Sequence, residues 1–515
     1  MQTRMIAPVG SPGSLPVIPI GGIRQVLSVA KQATELRYAV RFRVIFKYFG
    51  QLCLVLAVLT VVPLVVSLIF GERNITLRYA VVVCGLAGIG LVTARLRVPS
   101  GMQANEGMVV VALIFLISPL AMSYPMMSSG LGFLDALFEA ISGVTTTGLS
   151  TMATLVGAPA TFLFSRAWMQ WYGGLGIVVL SLALVIQPGL VAKGLAATET
   201  DTEDLVGGTR ARAQRILKVY GVLTALGIIG SLLVGVGFFD AVLYTFAAVS
   251  TGGFAPHDAS LGNFGWLAQG WITLLSLSGA IPLMIYHRVV QERRRVGVDI
   301  LQLQTVVIAS VVASLAVGAS MRLFAGMAWP QVLRHAPLLA FSAQTTAGFS
   351  SIPCSQLDAG SKLVLIFSML VGGGLGSTAG GFKLLRLLIA ASVFRLILLR
   401  TCLPKHAVIE PRLAGRRLQD EEIRAALLLI LLFVVVVALS WLPFVAMGYG
   451  PLDSLFEVVS ATGTVGLSTG LTSASLPAPL KGILCVDMLM GRLEIIAWLV
   501  MLYPGTWFGR RMEGT

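Results

Sequence analysis

The chain is poor in charge: of its 515 residues only 12% are Asp, Glu, Lys or Arg, about half of the roughly 25% usual in soluble domains. Its four histidines are His257, His287, His335 and His406. No HExxH or GxSxG phrase occurs, and no nucleophile, base and orienting group converge in the sequence, so an enzyme is not expected. The five cysteines, Cys53, Cys84, Cys354, Cys402 and Cys485, have no paired spacing and no CxxC, which excludes a disulfide framework and a zinc site. No short apolar segment with a small-residue cleavage site precedes residue 48, so no removable signal peptide is read.

What the chain has instead is apolar surface. Hydrophobic residues make up 56% of it and the mean hydropathy is +0.88. Apolar runs lie at about 48–70, 76–96, 107–125, 160–186, 216–239, 265–287, 303–325, 361–400, 423–448 and 478–507, and about 20 apolar residues cross a bilayer. The fold class is therefore an all-α polytopic membrane protein, and the lipid bilayer is its first partner. The 361–400 run is too long for one plain helix and carries a glycine-rich break.

A net charge of +14 could suggest nucleic acid, but its distribution does not. Of the 37 Lys and Arg residues, 29 fall before residue 48 or at 95–97, 193–218, 288–295, 383–424 and 510–511. These are the loops on one side of the spans. By the positive-inside rule they and both termini face the cytoplasm, and no nucleic-acid partner is expected.

On the opposite side one phrase recurs: Thr146-Thr147-Gly148-Leu149, Thr251-Gly252-Gly253-Phe254, Thr346-Ala347-Gly348-Phe349 and Thr464-Val465-Gly466-Leu467. Its glycines are 105, 95 and 118 residues apart, a period too long for a solenoid unit. Three copies extend over sixteen residues from Asp135, Asp240 and Asp453, and the third begins at His335 without the Asp. Between Asp135 and Thr145 a helix would measure roughly 16 Å, half of a ~30 Å hydrocarbon core. It can dip in and return but not cross. Its Asp is placed as the N-cap, and Pro337 is read into the first turn of the third copy. Each helix C-terminus then points its partial negative charge at the membrane centre, where a cation is favoured.

Irregular backbone at membrane depth persists only where it is buried in protein or lines water. Four such loops around one axis offer carbonyls to a dehydrated ion. Glycine supplies the backbone angles, and the β-branched Thr stiffens the approach. A lone Thr-Gly phrase is most simply a turn; four on one side, each after a half-length helix, are not. With no charged side chain in the phrases, a monovalent cation is favoured over a divalent one.

These features resemble the Trk/Ktr/HKT superfamily of potassium transporters, in its TrkH-like form. The resemblance runs from about residue 40 onward and includes GGLGSTAGGFK at 373–383 and GRLEIIAWLVMLYP at 491–504. It implies four fused membrane–pore-loop–membrane repeats around one central pore. The segments are a cytoplasmic 1–47, two leading helices in 48–100, and repeats at 101–192, 193–295, 296–400 and 401–515. It implies K+ held in a selectivity filter of Thr146, Thr147, Gly148, Thr251, Gly252, Gly253, Thr346, Ala347, Gly348, Thr464, Val465 and Gly466, with no organic cofactor. A filter Ser in the first loop marks some sodium-carrying plant relatives; here that position is Gly148. Further implications are a homodimer in a bacterial cytoplasmic (inner) membrane and a cytoplasmic, TrkA-like nucleotide-binding regulatory subunit. The basic loops at 193–218 and 288–295, with Arg293, Arg294 and Arg295, would be its docking surface.

The run 372–381 contains Gly374-x-Gly376-x-x-Ala379, a superficial dinucleotide fingerprint. Its flanks are membrane-helical and no acid follows until Glu410, so that reading is rejected. Small-residue helix packing explains part of the run, but its glycine content disfavours continuous helix. The resemblance implies a flexible intramembrane gate of Gly373, Gly374, Gly376, Ser377, Thr378, Gly380 and Gly381. Lys383 either belongs to it or snorkels to the cytoplasmic end. The resemblance also places Arg492 beneath the filter as a fixed charge. Arg492 and Glu494 could also form a structural pair within the bundle. Glu139 and Glu457 occupy equivalent places one turn into their helices, where buttressing the loop is favoured over attracting cations. A sodium- or proton-coupled symporter with alternating access remains the other reading.

Overall fold

The computed structural model describes residues 39–98, 102–185, 205–289, 297–404 and 410–508. Arg293, Arg294 and Arg295, and most of the segment 1–47, lie outside the described residues. Six described helices are long and apolar enough to cross a membrane: Phe42–Ile69, Arg73–Ala94, Ala104–Ser129, Ala213–Leu233, Ile300–Leu323 and Asp420–Ala446. In five of them only 22–33% of the apolar window is buried, whereas Ala104–Ser129 is 61% buried. Five thus turn apolar side chains outward and one lies inside the bundle. Water would not tolerate the first arrangement over so many helices, and lipid does.

The two leading helices, Phe42–Ile69 and Arg73–Ala94, pair side by side, with Gly50 and Gly90 at the crossing. A Cβ on either glycine would overlap the partner helix, so small residues set the close approach. Four units follow, each made of a long helix, a half-length helix, a Thr-x-Gly turn and a second long segment. The half-length helices are Phe133–Val144, Phe238–Val249, Trp329–Gln344 and Pro451–Thr462. Their inner faces are buried, including Phe138, Tyr244, Leu339 and Phe456.

Entry into the first and fourth units is built alike. Gln103 and Glu106 form a capping box at the start of Ala104–Met126, and Gln419 and Glu422 do so at the start of Asp420–Ala446. Each Glu is fully or nearly fully buried and takes an arginine: Arg41 Nε, from ahead of the two leading helices, at 2.8 Å, and Arg416 Nη2, from the segment just before its helix, at 2.7 Å. Arg416 belongs to a short antiparallel hairpin, Arg412–Leu413 paired with Arg416–Arg417. Near the first box, Val40 N–H donates to Thr506 O at 2.9 Å and Phe42 stacks on Trp507 at 5.7 Å. The two extremes of the described chain therefore meet.

Three of the ten apolar runs are broken, where the sequence announced one. Residues 265–287 divide into Trp266–Ala280 and Leu283–His287, because Pro282 forces Ile281 into an extended conformation. Residues 361–400 divide into Ala359–Val371 and Leu384–Thr401 around the glycine-rich loop. Residues 478–507 divide at Leu493–Ile495, where Glu494 and Ile495 adopt φ of +56° and +65°. Nothing in the composition of that last segment announces the break. Pro337 is also not in a first turn: it lies inside Trp329–Gln344, and Pro330 takes the first-turn position.

The acidic N-caps are corrected too. Gly132, Gly237 and Gly450 are the N-caps, and Asp135, Asp240 and Asp453 sit in the first turn without capping. There they still favour the helix N-terminus electrostatically, but the side chains of Asp135 and Asp453 reach other units.

Candidate functional site

Each half-length helix ends in the same hydrogen-bonded cap. In the first, Thr146 N–H donates to Gly143 O at 3.0 Å and Thr147 N–H to Ser142 O at 2.9 Å. The same pair of bonds recurs at Thr251 and Gly252, at Thr346 and Ala347, and at Thr464 and Val465. This is a Schellman cap, in which glycine normally holds the left-handed position. Here threonine holds it, with φ of +54°, +52°, +55° and +49° at Thr146, Thr251, Thr346 and Thr464. A β-branched residue there is strained by about 1–2 kcal/mol. The sequence pointed to the glycine for unusual angles; the structure adds the threonine.

The glycine two residues on is left-handed as well, at +91°, +76°, +73° and +93° for Gly148, Gly253, Gly348 and Gly466. Each glycine abuts the next unit. A Cβ on Gly148 would overlap Gly252 O, one on Gly253 would overlap Ala347 O, one on Gly348 Val465 O, and one on Gly466 Thr147 O. The contacts run from first to second, second to third, third to fourth and fourth back to first. The twelve residues read as candidates from sequence thus form one closed ring of backbone, buried except at Gly148, Gly348 and Gly466, which are partly exposed.

Behind the ring the four units differ. Glu139 Oε1 accepts from Ser150 Oγ at 2.5 Å and Thr151 N–H at 2.8 Å, and Arg166 Nε lies 3.0 Å from Oε2. Arg166 also stacks over Phe254 at 3.9 Å. Glu457 accepts from Ser468, Thr469 and Thr472 instead. Tyr244 fills the equivalent place in the second unit and donates to Ser260 O at 2.7 Å. Leu339 fills it in the third and makes no polar contact. Both glutamates are fully buried and brace the irregular segment that returns from the turn. Sequence reading passed over Arg166 and Gln170. The available signal was two polar residues four apart, hence on one helix face, inside the apolar run 160–186.

Two of the three first-turn aspartates join units. Asp135 takes Lys481 of the fourth unit at 2.5 Å, and Asp453 takes Lys362 of the third at 2.7 Å. Asp240 pairs with His257 in its own unit at 2.8 Å. In the third, His335 Nδ1 lies 2.8 Å from Ser351 Oγ. Lys481 is 5% and Asp135 23% exposed, against 10% and 41% for Lys362 and Asp453. Removing the lysine strands the less hydrated acid more severely. Lys481→Met is expected to lower stability by roughly 2–3 kcal/mol, and Lys362→Met by less. Thermal unfolding in detergent checks the order, which equal losses would contradict.

Below the ring lies the loop 372–383, which is mostly buried and hydrogen-bonded to the elements around it. Gly380 N–H donates to Thr346 Oγ1 at 2.7 Å and Gly381 N–H to Gly463 O at 3.1 Å. Thr378 Oγ1 lies 2.9 Å from Gly279 O and 3.1 Å from Val249 O, the last residue of the second half-length helix. Gly374 N–H and Thr378 N–H donate to Ala280 O and Gly279 O, and Ser377 Oγ to Gly374 O. Gly376 O accepts from Leu283 N–H, and Gly373 O from Leu384 N–H. Lys383 is buried and bonds Ala379 O. It belongs to the loop and does not snorkel.

Arg492 clasps this loop to the first unit: Nη1 donates to Thr378 O at 2.7 Å and Nη2 to Gly173 O at 3.1 Å. Gly173 packs against Val144 O, the end of the first half-length helix. The guanidinium therefore sits where helix C-termini make a cation favourable. Arg492 and Glu494 do not pair with each other. The positive φ at Glu494 turns its side chain to Arg386, 2.5 Å away.

The sequence profile of the TrkH family, described as cation transport protein, matches residues 71–295 and 294–504. An uncharacterized cation transporter of Methanocaldococcus jannaschii is 29% identical, covering 89% of this chain and 94% of its own. The Trk system potassium uptake proteins TrkH of Halomonas elongata and of Escherichia coli are each 28% identical, covering 90% of this chain and 99% of theirs. In fold, the chain is similar to the crystal structure of the potassium transporter TrkH from Vibrio parahaemolyticus. The TM-score is 0.81 at 24% identity, covering 91% of this chain and 100% of that one. A polytopic helical membrane protein matched by the profile from residue 71 to residue 504, this chain belongs to the TrkH family of cation transport proteins.

Proposed function

We propose that this chain takes up potassium ions across the cytoplasmic membrane through a channel-like pore whose selectivity filter is the ring of four Thr-x-Gly turns. One observation carries the reading: each filter glycine abuts a carbonyl of the next unit, closing the ring in chain order. Such a ring brings carbonyl groups from four sides around one axis, which is what replaces a hydration shell. Two filter hydroxyls, Thr146 Oγ1 and Thr464 Oγ1, are buried without a protein hydrogen-bond partner, and a cation would use them. The names of the relatives from Halomonas elongata and Escherichia coli support potassium as the cargo.

The path is closed below by the loop 372–383 and Arg492. Opening falls to a cytoplasmic, TrkA-like nucleotide-binding subunit acting on a homodimer in the inner membrane, with both termini on the cytoplasmic side. A partner can open the loop only by binding its two arrangements unequally.

Coupled symport is the second reading, and one feature favours it. Asp487 is 1% exposed on the last long segment; Oδ1 accepts from Ser440 Oγ at 2.6 Å and Oδ2 has no hydrogen-bond partner. A membrane-buried acid is a place to carry a proton. The deciding experiment is ion-replacement flux in liposomes, with and without an imposed proton gradient. The pore reading expects potassium to follow its own gradient, sodium to pass poorly, and the proton gradient to have no effect. Uphill uptake that strictly requires the proton gradient and is lost in Asp487→Asn would establish symport instead.

A further inference from the structure

The second turn of the ring is unlike the other three, and its neighbour explains why. Thr147, Ala347 and Val465 carry a side chain at the middle position; the second turn has Gly252 there. Gln170, fully buried on the long helix Ala160–Val185, occupies that space: a Cβ on Gly252 would overlap the Gln170 amide carbon. The amide is bound at both ends. Nε2 donates to Gly252 O at 2.6 Å, and Oε1 accepts from Phe254 N–H at 3.0 Å. The two bonds span Gly253 and fix the orientation of the amide, since reversing it would set donor against donor.

We infer that Gln170 is a positioning and specificity-determining residue of the filter, standing in from the first unit for the side chain that the second turn lacks. It completes the ring in two ways. It fills the volume that Ala347 or Val465 fills in its own turn, and it sets the direction of the Gly252 carbonyl, which is itself the oxygen that Gly148 abuts. Gln170 and Gly252 are thus a matched pair across two units. This rests on the ring being the ion-selective element.

The test compares purified variants in liposomes for K+ and Na+ flux at matched incorporation. Gly252→Ala is expected to lower K+ flux by about tenfold or more, because the new methyl group meets the buried amide. Gln170→Ala combined with Gly252→Ala should regain most of that flux, since the second turn then carries the same Thr-Ala-Gly chemistry as the third. Gln170→Met keeps the volume but loses both the donor to Gly252 O and the acceptor for Phe254 N–H, and is expected to reduce the K+/Na+ flux ratio by about tenfold with K+ flux largely kept. Gln170→Glu, which keeps the acceptor for Phe254, should do the same and serves if the Met variant does not insert. A double variant no better than Gly252→Ala, or an unchanged K+/Na+ ratio in the Gln170 variant that inserts, overturns the assignment. Gly466→Ser, remote from Gln170, separates the two ideas. If it also leaves the ratio unchanged, the ring itself is not the filter; if it shifts the ratio, only the role of Gln170 is lost.

Discussion

Serine at Gly148, Gly253, Gly348 or Gly466 is expected to remove most of the preference for potassium over sodium. Two effects act together. All four glycines have φ between +73° and +93°, a region that costs an L-residue about 1–2 kcal/mol. The added Cβ also falls on a carbonyl oxygen of the neighbouring unit, so that carbonyl must turn or the ring must widen. Either movement relaxes the geometry that distinguishes the two ions. A combined disturbance near 2 kcal/mol corresponds to more than tenfold in relative occupancy. The damage is directional: serine at Gly148 disturbs the second turn and serine at Gly466 disturbs the first. K+ and Na+ flux from liposomes holding each purified variant reads the effect. Unchanged selectivity at all four positions would remove the filter assignment.

Arg492→Ala should raise potassium flux in the absence of any cytoplasmic partner and leave the ion preference intact. Its guanidinium ties Thr378 of the loop to Gly173 of the first unit, and it places a fixed positive charge at the ends of the half-length helices. Two unit charges about 4 Å apart repel by roughly 4 kcal/mol at an effective dielectric of about 20. Even half of that suppresses ion occupancy more than tenfold. Deleting residues 374–379 is the complementary change. The flanks are already neighbours, because a Cβ on Gly372 would overlap Gly380 O and one on Gly373 would overlap the Ala379 side chain. The gap can close without pulling the helices apart. Partner-free K+ uptake at matched incorporation is the measurement, and two well-inserted variants with no rise in flux would place the gate elsewhere.

The membrane class and the position of the Thr-x-Gly turns were legible because both are written in composition and repetition. Apolar runs, basic loops on one side and a phrase repeated after a half-length amphipathic segment need no tertiary context. What escaped was set by contacts between units. The first-turn aspartates looked like caps because they precede helices, yet Asp135 answers to Lys481, 346 residues away. The left-handed threonines were hidden because their conformation contradicts their own propensity. The break at Leu493–Ile495 has neither proline nor glycine to announce it. The loop 372–383 reads as flexible from its glycines, whereas in the fold those glycines let its backbone reach carbonyls of the second and fourth units. Gln170 was passed over as an isolated polar residue in an apolar run, although its partner was the anomalous Gly252 eighty-two positions on.

One junction between neighbouring units has no peptide chain running across it: the fourth meets the first only through space. That seam is stitched at three depths. Lys481 to Asp135 closes it near the starts of the half-length helices, Gly466 against Thr147 in the ring and Arg492 to Gly173 beneath, while Val40 to Thr506 ties the segment before the leading helices to the end of the fourth unit. The protein is in effect a bracelet with a clasp, and its cyclic order does not depend on where the thread is cut. A circular permutant that ties residue 506 to residue 40 by a short linker and opens the chain within 290–296 should assemble the same bracelet, with the clasp moved to the opposite side.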